Sequence, residues 1–197
     1  MAITYPLTVP THTGFSSLQI KARTIVGISA SIFTGEQQVY PWAGQWHELT
    51  IELPTMGQGA SSIWAMFFQS LNGPEGTFYM GPSVRKVTGG TKAGTVTVDT
   101  GAVANATTLP ITGGTGDFAV GDWLQVGLTT AARLHRVIKV NVGSVDVFPR
   151  LRSAYTATTS ITYTNPVGIF RLAAMPTELY DSAKLCRGFT FNAIESI

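Results

Sequence analysis

The residues that come nearest to doing chemistry are Glu48 and Glu52, two carboxylates on one side of the run His47-Glu48-Leu49-Thr50-Ile51-Glu52-Leu53. Paired carboxylates perform glycoside hydrolysis when they stand about 5 to 9.5 Å apart. Four residues of extended chain separate these two backbones by roughly 13 Å, so a solvated or pore-facing strand surface is the better reading. The histidines, His12, His47 and His135, are distant from one another, and none lies in a HExxH arrangement. Lone histidines of this kind are more often structural than zinc ligands. The single cysteine, Cys186, excludes an intrachain disulfide and a cysteine-built metal site. Beside Leu185 it reads as a small buried hydrophobe, since the adjacent Arg187 alone does not activate a thiol. There is no GxSxG elbow and no P-loop, and Gly113-Gly114-Thr115-Gly116 runs into Asp117-Phe118-Ala119-Val120 rather than a helix, which makes it a turn. The expectation is a protein with no catalytic residues, no cofactor and no metal.

Binding residues are a second possibility. Arg133, Arg136, Arg150 and Arg152 can form a basic patch with Tyr155 beside it as a stacking platform. They are also spaced among apolar residues as the solvated positions of barrel strands would be. Trp42, Trp46 and Trp123 can stack on sugar faces, although core or interface packing is the commoner use of tryptophan.

The elements that would carry these side chains are legible. From Leu49 to Leu53 apolar residues alternate with Thr and Glu, which gives a strand with one face on a core. Pro54 stops it and Gly57 and Gly59 loosen the connection. A helix follows, capped by Ser61 or Ser62, with Ile63, Trp64, Phe67, Phe68 and Leu71 as its apolar stripe and Asn72-Gly73 as its stop. Gly76 to Met80 returns as a strand, closed by Gly81-Pro82. From Thr88 to about Pro166 short β-prone runs recur at Thr95 to Val98, Thr108 to Thr112, Trp123 to Val126, Leu134 to Val140, Val145 to Phe148 and Ser160 to Tyr163. Turn signals between them predict a small barrel or sandwich. Then come Ile169 to Leu172 and a terminal strand in which Phe189, Phe191 and Ala193 alternate with Thr190, Asn192 and Ile194.

That terminal strand has no partner just before it, so its sheet must be built from residues 17 to 81, and the middle module is an insertion. The expected division is residues 1 to 84 plus 167 to 197 for the host and 85 to 166 for the insert, in a mostly β fold with one packed helix. Between Arg85 and Arg171 nine basic residues stand against four acidic ones, 9 − 4 = +5, and elsewhere 4 − 7 = −3, which sum to the chain's +2. Charged residues make up 12% of the 197, about half the roughly 25% usual in soluble domains. So little charge suggests an exterior covered by neighbouring subunits. The first residues lack a basic stretch followed by an apolar run, and no segment approaches the roughly 18 apolar residues of a membrane span, so synthesis in a cytoplasm without membrane insertion is expected.

Taken together, Tyr40-Pro41-Trp42 to Leu53, the helix around Ser62-Ile63-Trp64-Ala65-Met66-Phe67-Phe68, the strand Gly76 to Met80 and the closing Phe189 to Glu195 resemble the tail-tube fold of tailed-bacteriophage tube and distal tail proteins. The module with Gly121-Asp122-Trp123-Leu124-Gln125-Val126-Gly127 and Phe148-Pro149-Arg150-Leu151-Arg152 is similar to the extra domain of distal tail proteins. The resemblance implies a structural virion protein, assembled in the host cytoplasm into a hexameric ring at the tail tip. It would contact the tail tube protein, the baseplate hub and other tail-tip proteins, with DNA only in transit through its lumen. Glu48 and Glu52 would face that lumen, and Trp123, Arg133, Arg136, Arg150 and Arg152 would form the insert's contact surface. A tail-completion ring at the other end of the tail and a carbohydrate-binding module remain alternatives, with an enzyme third.

Overall fold

A computed structural model describes residues 3–11, 14–83, 86–178, 185–186 and 188–197. The expectations for His12 and Arg187 fall outside them. In chain order the elements are β1 (Leu7–Thr8), β2 (Ser17–Ala30), β3 (Gln37–Glu52), β4 (Met56–Gly57), α1 (Gln58–Leu71), β5 (Thr77–Met80), β6 (Val96–Val98), β7 (Thr108–Thr112), β8 (Trp123–Val126), β9 (Arg133–Asn141), β10 (Ser144–Phe148), β11 (Ser160–Thr162), β12 (Gly168–Leu172), β13 (Leu185–Cys186) and β14 (Thr190–Glu195). The fold is mostly β. One sheet runs β1-β5-β12-β14-β3-β2, and β10-β7-β6-β11-β8-β9 close into a barrel. All six barrel strands thus lie in sequence between β5 and β12, which are themselves paired from Gly168 with Met80 to Arg171 with Thr77.

Strand alternation gives the sheet one apolar face. Leu49 and Ile51 of β3, Phe191 and Ala193 of β14, Phe170 and Leu172 of β12 and Phe78 of β5 are all buried on it. Helix α1 covers the end bearing Phe191. Trp64 is fully buried there, with ring centroids 5.7 Å from Phe67, 5.7 Å from Phe68 and 6.3 Å from Phe191. The helix begins earlier than Ser61 or Ser62: Gly57 is its N-cap without a side-chain bond, and both serine hydroxyls donate back to the Gln58 carbonyl. Gly59 is therefore helical. Ile63 falls off the apolar stripe and is 38% exposed, because Trp64, Phe67, Phe68 and Leu71 already occupy the inward arc. The stop is as expected, with Asn72 left-handed at φ 49°.

The barrel has its own core of Val96, Val98, Leu109, Leu124, Val126, Val137, Val145, Val147 and Ile161. Its entry is pinned by the buried Asp122, whose carboxylate accepts from Thr88 Oγ1, from Gly89 N at 2.7 Å and from Ala119 N at 2.8 Å. Its exit is held by Gln125, whose Oε1 accepts from Val167 N at 3.0 Å. The glycines of 113–116 have positive φ, as the turn reading requires. Cys186 is buried in the sheet's core, paired through β13 with Met56.

Truncating the residue on which the helix docks, Trp64→Ala, is expected to cost about 3–5 kcal/mol. Urea unfolding followed by fluorescence checks this, and a loss under about 1 kcal/mol would show that the helix does not rely on that packing.

Candidate assembly interface

Strands β2 and β3 do not end where the sheet ends. Their pairing continues from Ser17 with Glu52 to Ala30 with Gln37, interrupted by a bulge where Thr24 to Val26 opposes Gln45 to Pro41. Gly44 lies in that bulge, where a Cβ would sit 2.7 Å from Cδ1 of the exposed Ile25 side chain, so a larger residue there would oblige that side chain to move. Beyond the bulge the ribbon has, among the described residues, no neighbouring strand on either edge, and its side chains are exposed on both faces. Ile25, Val26, Ile28, Val39, Tyr40 and Trp42 are all exposed, and Ile32 and Phe33 at the tip are 95% and 98% exposed. From Thr24 to His47 the only charged residue is Glu36. A two-stranded ribbon is at best marginal by itself in water. This arm is apolar, nearly uncharged and unsupported, which is the composition of a surface made to be covered.

The second feature is the seam between barrel and sheet. Continuing the core-side alternation of β3 and β14 past Leu49 and Ala193 arrives at His47 and Glu195, both buried. One carboxylate oxygen of Glu195, Oε2, accepts from His47 N at 3.0 Å and from Arg152 at 3.1 Å, and the His47 Nδ1 stands 3.6 Å away, beyond hydrogen-bond distance. Burial pushes the Glu195 carboxyl up, but the His47 imidazole and the Arg152 guanidinium outweigh it and hold the group below the ordinary glutamate value. Across the seam the fully buried His135 donates from Nδ1 to the Pro149 carbonyl at 2.9 Å. Desolvation drives its pKa down to about 4 despite that bond, so it stays neutral. Arg150 N donates to Gln45 Oε1 at 2.9 Å, and the His47 ring packs against Trp123 and Phe148 with centroids 5.3 and 5.5 Å apart.

These placements separate the residues the sequence grouped. Trp123 is 7% exposed and wedged into the seam, so it is not an outward contact residue. Arg152 is likewise committed to Glu195. Arg133 donates to the carbonyls of Thr130 and Ala132, and Arg150 donates its side chain to Asn105 O, so the arginines serve local loops instead of one basic patch. Arg136 alone of the five is exposed, its guanidinium 5.4 Å from the Trp123 ring. Tyr155 is buried. Glu48 and Glu52 do share the sheet's open face, away from helix and barrel. Glu48, however, pairs with Arg23 at 2.8 Å and accepts from Trp46 Nε1 at 3.2 Å. With Lys21, Arg23 and Arg171 in the same outward register as Glu48 and Glu52, the face is balanced in charge, not acidic.

The sequence reading missed His47 and Glu195 as a buried pair. The signal was present: both continue a period of two that is otherwise apolar. A depression of about 600 Å³ between the N-terminal segment and Met80–Pro82 has Lys86 as its one charged side chain among the described lining residues. Among the described residues no three His, Cys, Asp or Glu side chains cluster. No helix among them is long and apolar enough to cross a membrane. No known family model matches the chain. No curated protein matches it either.

Both depressed groups make acid destabilising. The unfolded chain protonates His135 near 6.5 and the fold only near 4, so that contribution, on the order of 3 kcal/mol, is complete above pH 6.5 and lost between 6.5 and 4. Glu195 adds a loss as pH falls below its unfolded value of 4.5 and through its lower folded one. Stability measured against pH should fall through that window, and His135→Gln should flatten the upper part only. Arg152→Met leaves Glu195 buried without its cation and should cost about 3–5 kcal/mol, much of it recovered in the double variant with Glu195→Gln.

Proposed function

We propose that this protein is a structural component of a bacteriophage tail, forming a ring, hexameric by the sequence resemblance, at the distal end of the tail tube. It would join the tube protein to the baseplate hub and other tail-tip proteins, and would belong to the virion. The observation that carries this reading is the arm of β2 and β3, a nearly uncharged ribbon with Ile32 and Phe33 almost wholly exposed. An isolated subunit leaves that surface in water, whereas a ring covers it on every copy at once.

The rest of the molecule supports the reading. A split sheet with one helix on it and a barrel interposed between β5 and β12 matches the order of parts that the sequence resemblance implies. The sheet's open face is polar and near neutral, which suits a wall past which DNA slides without adhering. The barrel's position at one end of the sheet leaves the arm unobstructed for a neighbour.

Negative-stain microscopy and light scattering of the purified chain test this. Rings with a central hole are expected, and Ile32→Ser with Phe33→Ser should shift the population toward monomer while near-ultraviolet circular dichroism stays unchanged. Monomers that bind a glycan array and form no ring, alone or with tail proteins, would overturn the proposal.

A further inference from the structure

At the foot of the arm, where the barrel meets the edge strand β2, lies a groove of about 380 Å³. Ile20 and Ala22 of β2 form one wall and Val120 and Ile138 of the barrel the other, with Trp123 and Phe148 as the floor. Val120 and Ile138 are 61% and 55% exposed, so the groove presents apolar surface to water. Its one formally charged lining residue is Arg136, which has no carboxylate in ion-pair distance among the described residues. The arm's tip is the complement: Ile32 and Phe33 are apolar, and Glu36 is the single charge from residue 24 to 47 and likewise lacks an ion-pair partner among the described residues.

Resting on the ring reading above, we infer that the groove receives the arm tip of a second copy of this chain, with Ile32 and Phe33 in the apolar trough and Glu36 paired with Arg136. The tip cannot reach its own groove. The eight residue steps from Ala22 to Ala30, plus the turn, hold it roughly 30 Å away along a paired ribbon. That reach is about the diameter of a small domain, so it brings two bodies into contact without holding them apart. Tip and groove are different patches, so the contact is head-to-tail, the kind that closes into rings. Because the groove sits at the base of the recipient's own arm, each contact positions the next arm, and the arms form a continuous belt.

The test is a charge exchange. Glu36→Arg and Arg136→Glu are each expected to weaken assembly at least about tenfold in sedimentation, because each sets like charges against each other. The double variant, carrying both, is expected to recover to within about threefold of the native chain. Circular dichroism on each variant confirms that the fold is retained. In a Cys186→Ala background, chains carrying only Phe33→Cys should cross-link on oxidation to chains carrying only Ile138→Cys, and neither should cross-link efficiently to itself. If rings form but the double variant does not recover, or Phe33→Cys chains pair with each other, the arm-in-groove contact is wrong while the ring stands. If the native chain does not assemble at high concentration and the mixed Phe33→Cys and Ile138→Cys chains give no cross-link, both proposals fall.

Discussion

Strand β14 is the last described element of the chain and a central strand of its sheet, held between β3 and β12. Its five registered pairs with β3 join residues more than 130 apart in sequence, so the sheet stays incomplete until nearly the whole chain is present. The core-side residues of β14 then divide the work of the molecule along a single strand. Phe191 takes the helix, Ala193 is buried between Leu49 and Leu172, and Glu195 takes the barrel through Arg152. Helix and barrel therefore cover one face side by side, and their separation is set by the period of two along β14.

The seam under the barrel contrasts with the core under the helix. Under α1 the contacts are aromatic and tolerate small adjustments. At the seam a buried carboxylate, a guanidinium and two imidazoles meet, and such a set is costly unless its geometry is kept. The result is directional: the barrel has one seat on the sheet, specified by Glu195 with Arg152 and by Gln45 with Arg150. Since the groove beside the arm is walled by both modules, that fixed seat also sets the groove's shape. A rigid seam is thus a condition for any partner that reads sheet and barrel together.

Away from the seam the constraint reverses. The arm leaves the sheet at the Gly44 bulge and carries its apolar residues on both faces, so no turn of the ribbon can hide them within one chain. A protein with so few charges has little other means of remaining dispersed, and an exposed ribbon edge is itself a template for pairing. Covering it with an identical copy removes both liabilities for every subunit in the same step.

Much of this architecture was legible in the residues. Alternation announced the strands at 49–53 and 189–194, Asn72-Gly73 announced the helix stop, and the orphaned terminal strand implied that the barrel interrupts a sheet. Single-strand periodicity says which face a side chain takes, and it did so correctly for Glu48 and Glu52. It does not say what lies across from that side chain, so the pairing of Glu48 with Arg23, and of Glu195 with Arg152, emerged only when strands from distant segments were set in register. Trp123 is expected on the contact surface by the resemblance and as a tryptophan able to stack on a sugar; only the meeting of two modules buries it. Spacing fixes a stripe but not which arc of it the sheet fills, nor where the first turn begins, so it leaves the exposure of Ile63 and the helix start at Gln58 undetermined. The arm shows the limit most plainly. Nothing local in residues 24 to 47 reveals that their pairing outruns the sheet, because solvent exposure belongs to the assembled fold and not to the segment.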